Sequence, residues 1–346
     1  MSQDLELQGK IAEGLDGPRR PIVNDNNLEA CVRDRLRFQA VQQPGQEAVS
    51  VVGWHHDAHP WAIHRLGRYR RRADPIVMGD EAGALRAQVD ALQWYHTLEL
   101  PPGVLTPGWF DTRGVVASLP LPRSLEGKRC LDVGTFDGFW AFEMERRGAD
   151  EVVAIDVLDP LEWDWPANTK PETVAEIGKR KAGGAGFDLA KRALGSSVRR
   201  IPLSVYDLSE EHAGRFDFVY LGSLLLHLRD PVRALERLRG VCTDELLVVD
   251  SIDLLLTAIF PRRPVATLDA RGRPWWWTAN RAGIVRMVEA GGFQIVGRPG
   301  TVYMPPGSGQ PVGPVTPLSL LRASGREATI KSWRGDPHAV VRAVAV

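Results

Sequence analysis

The sequence predicts an α/β protein whose strands are covered by helices on both faces of a sheet. Residues 128–140 place an apolar strand, a glycine turn and the start of a helix in direct succession. Cys130, Leu131 and Val133 form the short apolar run that is typical of a parallel strand buried on both sides. Residues 151–156 supply a second run of the same kind. Two such strands joined by a helix predict a βαβ unit.

The composition gives no bias towards nucleic acid or membrane. The chain has 346 residues, enough for a large core, and its 43 basic residues balance its 43 acidic ones. Three cysteines, widely spaced and odd in number, fit neither a disulfide framework nor a zinc site. The sequence shows no leader pattern and no apolar run of membrane-spanning length. We therefore expect a cytoplasmic protein without a membrane partner.

Two domains are predicted, an N-terminal extension at 1–93 and a main domain at 94–346. The extension is polar and rich in turns, with a short helix expected at 28–41 and a strand at 49–54. A longer helix is expected at 81–98, where apolar residues recur at helical intervals. This helix is predicted to pack against the main domain.

The extension also contains a histidine cluster and an arginine cluster. Four of the eight histidines lie between His55 and His64, which suggests a metal site. Pro60 prevents one continuous helix from presenting them on a single face, so a polar loop or interface is the simpler interpretation and no metal is predicted. Residues 65–72 carry five arginines, which could contact RNA or form a solvated face.

The glycine turn carries the main functional signal. Its pattern over Asp132–Gly138 is Asp-x-Gly-x-x-x-Gly, unlike the Gly-x-Gly-x-x-Gly of dinucleotide sites. Asp137 would repel phosphate and tolerate a cation. Asp156, at the end of the second strand, has the spacing of a carboxylate that takes both hydroxyls of a ribose. These features predict a cationic nucleoside without phosphates, such as S-adenosylmethionine. The pattern resembles that of class I methyltransferases, which implies a Rossmann-like, seven-stranded sheet.

The other strands are predicted in order along the chain. Apolar runs predict them at 200–206, 216–223, 245–250, 293–296 and 338–346. Insertions at about 157–198 and 253–280 are expected to form a substrate wall or lid. The second insertion contains three adjacent tryptophans, Trp275–Trp277, whose side chains diverge and cannot all enter one core face. At least one is predicted to line a pocket in preference to a partner surface.

Over residues 94–293 the chain also resembles methyltransferases related to the tRNA wobble-uridine modifying enzyme that uses carboxy-S-adenosylmethionine. The resemblance lies in the aromatic, proline-rich segment before the first strand and in the His-Leu-x-Asp-Pro run that starts at His227. It implies that Trp109 and Arg113 reach the cofactor. Because Leu226 stands where that group has a tyrosine, ordinary S-adenosylmethionine is predicted here.

The broader resemblance to class I methyltransferases implies an acid after the third strand that meets the adenine amino group, and a neighbouring apolar residue over the ring. Asp207 and Leu208 match these positions. The full predicted cofactor-binding set is Trp109, Arg113, Asp132, Gly134, Thr135, Phe136, Asp137, Gly138, Asp156, Val157, Tyr206, Asp207, Leu208, Gly222 and Ser223.

Methyl transfer is an in-line displacement at an activated carbon, so positioning is the protein's main task. A base is needed only where the acceptor holds its proton at neutral pH. His227 is the predicted base because it follows the strand whose end faces the methyl group. His96 and Asp111 are candidates to assist. Alternatively, His227 could only bond backbone and fix its loop.

The predicted function is methyl transfer from S-adenosylmethionine to a small-molecule acceptor, such as a secondary metabolite or a sugar hydroxyl, with S-adenosylhomocysteine as product. The apolar insertion at 253–280 and the absence of net positive charge favour a small acceptor. A tRNA-modifying enzyme is the alternative, supported by the family resemblance and the arginine cluster. A third interpretation is a cofactor-binding scaffold without activity. The first ninety residues could contribute to a homodimer interface.

Overall fold

The computed structural model describes residues 75–270, 274–311, 329, 331 and 333–346. The chain divides into two units, Met1–Tyr69 and Arg70–Val346, and the described residues all belong to the second. The elements predicted before residue 75, with the histidine and arginine clusters, therefore lie outside the described residues. The domain boundary predicted between residues 93 and 94 stays a prediction.

The centre of the described fold is a seven-stranded sheet. Its strands in chain order are β1 (Arg129–Val133), β2 (Glu151–Asp156), β3 (Arg199–Pro202), β4 (Phe216–Gly222), β5 (Cys242–Ser251), β6 (Phe293–Met304) and β7 (Asp336–Ala345). Across the sheet they follow the order β3-β2-β1-β4-β5-β7-β6. Neighbours from β3 to β5 are parallel, whereas β7 is antiparallel to both β5 and β6. The prediction of a Rossmann-like, seven-stranded sheet is confirmed.

The strand order reverses between β1 and β4. Val133, the last residue of β1, pairs with Ile155 of β2 on one side and with Leu221 of β4 on the other. In open α/β sheets, ligands bind in the crevice beyond the carboxyl ends of the strands at such a point. The fold therefore places the candidate site beyond β1, β2 and β4.

Helices cover both faces of the sheet. They are α1 (Pro75–Asp90), α2 (Phe139–Arg146), α3 (Pro171–Lys181), α4 (Ala185–Leu194), α5 (Glu210–Ala213), α6 (Pro231–Val241), α7 (Leu254–Ile259) and α8 (Arg281–Ala290). Side chains alternate along β4, so that Phe218 and Tyr220 enter one apolar core and Val219 and Leu221 enter the other. No described helix is both long and apolar enough to cross a bilayer.

Within the described residues, four short strands precede β1 and two more follow α7. Trp94–His96 pairs in parallel with Gly108–Phe110, and Glu99–Leu100 pairs antiparallel with Val104–Leu105. Ala266–Leu268 pairs antiparallel with Trp277–Ala279. The last pair belongs to the insertion at 253–280.

Several predicted elements were wrong in their extent, and β6, which was expected at 293–296, continues to Met304. The helix expected to reach residue 98 ends at Asp90, because the backbone N–H groups of Tyr95 and His96 donate instead to a distant carboxylate, that of Asp137. The third strand ends at Pro202, which cannot donate to a strand ladder. The chain then turns into a short 3-10 helix, Val205–Asp207, and the Ser204 side chain accepts a hydrogen bond from the Tyr206 N–H.

Candidate active site

A cavity of about 990 Å³ lies beyond the carboxyl ends of the central strands. It extends from the glycine turn after β1 to the tryptophans of the 253–280 insertion. Of the residues predicted from sequence, it is lined by His96, Trp109, Asp132, Gly134, Phe136, Asp156, Val157, Tyr206, Gly222, Ser223 and His227. A volume at the upper end of the small-molecule range can hold a cofactor together with a small second ligand.

The glycine turn is held to β2 by its own backbone. The N–H groups of Gly134 and Thr135 donate to the Ile155 carbonyl at 2.9 and 3.2 Å. Gly138 has a positive φ of 92°, and a Cβ there would lie 2.4 Å from the Phe142 ring. Glycine is therefore required at this position, and Thr135 and Gly138 shape the turn from outside the cavity lining.

Asp156 connects the turn to the first insertion. Its Oδ2 accepts a hydrogen bond from the Phe136 N–H at 2.7 Å and an ion-paired hydrogen bond from Lys181 Nζ. Lys181 is only 3% exposed, and its Nζ lies 4.4 Å from the centre of the Phe136 ring. Burial lowers the pKa of Lys181, while the Asp156 carboxylate acts in the opposite direction. The predicted ribose-binding acid thus has a buried cationic partner.

Asp132 is a buried carboxyl at the end of β1. Its Oδ2 accepts a hydrogen bond from the Ala141 N–H at 3.1 Å, near the start of α2. Burial raises the pKa of Asp132 to about 7. A cation bound in the cavity would favour the ionised form of this group.

Replacing Asp132 with asparagine is expected to change the pH dependence of stability. Since its pKa is raised on folding, the carboxyl contributes stability below its unfolded pKa, near 4, and loses that contribution as the pH rises to about 7. The free energy of unfolding of Asp132→Asn, measured relative to that of wild type, should rise by about 2 to 3 kcal/mol as the pH increases from 5 to 8. Denaturant unfolding of the ligand-free protein at both pH values measures this. A difference that does not change with pH would contradict the expectation.

Asp137 holds the segment before β1 against the glycine turn. Its Oδ2 accepts from the N–H groups of Tyr95 and His96, at 2.9 and 2.7 Å, and its Oδ1 lies 2.5 Å from His96 Nδ1. The His96 ring also stacks on Phe139. Asp137 does not line the cavity, so its carboxylate acts through His96, which does.

The aromatic segment before β1 contributes one of its two predicted cofactor contacts. Trp109 lines the cavity, and the Arg180 guanidinium lies 4.3 Å from the centre of its ring. Arg113 instead forms a two-point ion pair with Asp111, at 2.9 and 2.8 Å, and its hydrogen bonds lower the pKa of that carboxyl. Neither Asp111 nor Arg113 lines the cavity. The structure therefore does not bring these two residues to the site.

The predicted adenine contacts also lie elsewhere. Because β3 ends early, Asp207 is exposed and Leu208 is buried in the core, and neither lines the cavity. The wall at this position is formed by Leu203, Ser204, Val205 and Tyr206. Binding of adenine by Asp207 and Leu208 stays a prediction that this placement does not favour.

The loop after β4 is fixed by a buried carboxyl. Asp250, fully buried on β5, accepts hydrogen bonds from the N–H groups of Leu224 and Leu225, both at 2.8 Å. Burial raises the pKa of Asp250 to about 6. Ser223 adopts a positive φ of 50° and its N–H donates to the Val249 carbonyl. These bonds give the 223–227 loop one defined path along the cavity.

His227 lies at the end of that loop and lines the cavity. Its Nδ1 donates a hydrogen bond to the Pro274 carbonyl, which can only accept. This bond leaves the lone pair on Nε2, for which the described residues provide no hydrogen-bond donor. Burial lowers the pKa of His227, so the ring is neutral at physiological pH. A neutral imidazole of fixed tautomer is the state that a general base requires.

The tryptophan segment closes the far side of the cavity. Trp275 and Trp277 line it, which confirms that at least one of the three tryptophans faces a pocket. The Trp276 indole N–H donates to the Asp164 carbonyl, and the Asp164 carboxylate accepts from the Tyr206 hydroxyl and the Arg229 N–H. Asp164 therefore joins the first insertion, the 223–227 loop region and the tryptophan segment.

Several lining residues were missed at the sequence level, namely Tyr95, Asp164, Lys181, Tyr220 and His338. Lys181 and Asp164 lie in an insertion that matches no motif, although two tryptophans flank Asp164. Tyr220 is a core strand residue by pattern, but its buried hydroxyl has no hydrogen-bond partner among the described residues. His338 Nδ1 donates to the Asp336 carbonyl, so its Nε2 accepts from the Ser223 hydroxyl at 2.9 Å.

Comparison with known proteins identifies the family. The seven-stranded, mostly parallel sheet is the fold that the resemblance to class I methyltransferases implies. The model of the methyltransferase domain family matches residues 113–294, slightly more than half of the chain. The chain belongs to the methyltransferase domain family. No curated protein matches the sequence.

Solved structures of similar fold include two methyltransferases and a cyclase. Magnesium protoporphyrin IX methyltransferase of Synechocystis, solved with S-adenosylmethionine, is 14% identical with a TM-score of 0.40, over 95% of this chain and 100% of that one. The Burkholderia thailandensis 1,6-didemethyltoxoflavin N1-methyltransferase is 12% identical with a TM-score of 0.37, over 95% and 93%. The [4+2]-cyclase SpnF is 15% identical with a TM-score of 0.42, over 78% and 95%.

These values describe a distant likeness of fold and say nothing about substrate. The resemblance to the wobble-uridine enzymes receives no support from the comparisons and stays a prediction.

Proposed function

We propose that this protein transfers a methyl group from S-adenosylmethionine to a small-molecule acceptor. The observation that carries the proposal is the continuity of the cavity, which connects Asp156 and the glycine turn to a neutral histidine and two tryptophans. One end has the features of a nucleoside site, and the other has an aromatic wall beside a base. A cofactor and an acceptor can therefore meet inside one cavity.

The residues present suit an adenosyl ligand. No hydrogen bond among the described residues reaches Asp156 Oδ1, so this oxygen can accept from a ribose hydroxyl. Gly134 has a positive φ of 75°, and a Cβ there would lie 3.3 Å from the Leu224 side chain. Glycine at this position therefore lets a ligand approach the backbone of the turn closely. The carboxyl of Asp132 can ionise beside a cation, and the Tyr220 hydroxyl has no hydrogen-bond partner among the residues that the structure describes. These groups would hold the cofactor, which when bound supplies a methyl carbon activated by its sulfonium.

The chain's own part in the reaction is orientation and proton removal. The 223–227 loop, fixed by Asp250, places His227 at the cavity wall. His227 Nε2 takes the proton of an acceptor hydroxyl or amine, and the resulting imidazolium keeps its Nδ1–H bond to the Pro274 carbonyl. The tryptophans hold the acceptor by its apolar surface and exclude water. Positioning of this kind can contribute about 7 to 11 kcal/mol to lowering a barrier.

A small acceptor is favoured by the apolar lining of the site. The acceptor end of the cavity is bounded by Leu226, Trp275 and Trp277, and by the short strand Ala266–Leu268. An aromatic and aliphatic wall of this kind suits an organic molecule with an apolar body and one polar reacting group.

Calorimetry on the full chain tests the proposal. S-adenosylmethionine and S-adenosylhomocysteine should bind one to one, whereas NAD and ATP should not, because the N–H groups of Gly134, Thr135 and Phe136 already donate to Ile155 and Asp156 and are not available to a phosphate. Bulk tRNA added at low salt distinguishes the alternative acceptor, since binding that weakens steeply with salt would favour a tRNA-modifying enzyme. Absence of binding by both adenosyl compounds would overturn the proposed function.

A further inference from the structure

Lys181 is a buried cation that the proposed chemistry has not used. It lies at the end of α3, in the insertion expected to form substrate wall, yet its Nζ contacts the carboxylate assigned to the ribose. Asp156 Oδ2 is shared by Lys181 and the Phe136 N–H. Both groups therefore bind one side of the carboxylate and leave Oδ1 to a ligand.

The backbone after Lys181 fixes the lysine in place. Ala182, Gly183 and Gly184 have positive φ values of 44°, 59° and 86° in succession. Such a turn is costly at the non-glycine Ala182 and persists only where its surroundings hold it. Arg200 does so, because its Nη1 donates to the Gly184 carbonyl at 2.8 Å and its Nη2 to Asp188 at 3.0 Å. A Cβ at Gly184 would lie 2.1 Å from that guanidinium.

The surroundings of Nζ also oppose displacement by a ligand. The ammonium lies 4.4 Å from the Phe136 ring centre and 6.0 Å from that of Trp163, so aromatic faces cover it on two sides. Removal of this cation would leave a buried carboxylate without its partner, which is strongly unfavourable. An ammonium has three donors, and among the described residues the carboxylate of Asp156 is its one ion-pair partner.

We propose that Lys181 is a cofactor-binding residue which, paired with Asp156, recognises the vicinal diol of the adenosyl ribose. Asp156 Oδ1 accepts a hydrogen bond from one hydroxyl, and Lys181 Nζ donates to the oxygen of the other. A hydroxyl both donates and accepts, so an acceptor and a donor side by side match a diol better than a carboxylate alone. This inference rests on the proposed function and makes the first insertion part of the cofactor site.

The test measures ribose discrimination by calorimetry on the full chain. The probes are S-adenosylhomocysteine and its 2′-deoxy and 3′-deoxy analogues, and the variants are Lys181→Met and, as a control on the same helix, the exposed Lys179→Met. Wild type and Lys179→Met should bind the parent compound at least 10-fold more tightly than one of the deoxy analogues. Lys181→Met should bind the parent about 10-fold more weakly and lose discrimination against the analogue without the hydroxyl that Lys181 contacts, while Asp156 preserves discrimination against the other analogue.

The outcomes separate this inference from the proposed function. If wild type does not bind S-adenosylhomocysteine, the proposed function fails. If wild type binds but Lys181→Met loses affinity equally for all three probes, or binds more tightly, Lys181 is a structural residue or an obstacle and the inference is overturned. Lys181→Gln, which keeps a donor without charge, serves where the methionine variant does not fold, and it should retain part of the discrimination.

Discussion

Replacing Asp156 with alanine is expected to weaken S-adenosylmethionine binding about 10- to 100-fold and to destabilise the protein by about 3 to 5 kcal/mol. The affinity falls because the ribose loses a charged acceptor. The stability falls because Lys181 remains buried without its partner, and because the Phe136 N–H loses its acceptor in the glycine turn. Calorimetry gives the affinity, and denaturant unfolding gives the stability.

Two further variants sharpen this experiment. Glu211→Gln removes an exposed acid of α5 and should change neither quantity measurably. The double variant Asp156→Asn, Lys181→Met removes both buried charges, so it should recover much of the stability lost by Asp156→Ala without recovering affinity. An Asp156→Ala protein that binds S-adenosylmethionine as wild type does would show that the ribose lies elsewhere.

Replacing His227 with glutamine is expected to lower kcat about 10²- to 10⁴-fold while leaving the affinity for S-adenosylmethionine nearly unchanged. The variant loses the neutral imidazole lone pair that accepts the acceptor's proton. Single-turnover rates with methyl-labelled cofactor measure the loss once an acceptor is found. The exposed His212→Gln is the matched control and should keep wild-type rates.

The pH profile provides a second readout for His227. Burial lowers its pKa below the ordinary histidine value of 6.5, so the base is already neutral at pH 7. Wild-type kcat should therefore be level from pH 7 to 8 and fall only as the pH drops below 6.5. The residual activity of His227→Gln should lack this acidic decline. A variant with the wild-type rate and pH profile would show that His227 only fixes its loop and is not the base.

The sheet was predictable because each strand is specified locally. Buried parallel strands carry short apolar runs, and the 128–156 segment adds a glycine turn and a terminal acid to two of them. The errors occurred where distant groups decide the local structure. Asp137 draws residues 95 and 96 out of the predicted helix, and Pro202 ends the third strand before Asp207.

The candidate site was predictable mainly where it follows the strand ends. Asp132, Asp156 and His227 were found from their order along the chain, and all three line the cavity. Arg113 satisfies its charge on Asp111, two residues away, which no motif reveals. Lys181 lies in an insertion whose path depends on the three left-handed residues after it. Side-chain partners of this kind are decided by tertiary packing.

The position of β7 affects how the chain folds during synthesis. This strand, Asp336–Ala345, is the last described element in sequence, yet it lies in the interior of the sheet between β5 and β6. While a ribosome is still adding these residues, β5 and β6 have no neighbour between them and expose unpaired edges. The sheet can therefore close only after this segment has been synthesised, and a chain that ends before residue 336 leaves those two edges unpaired.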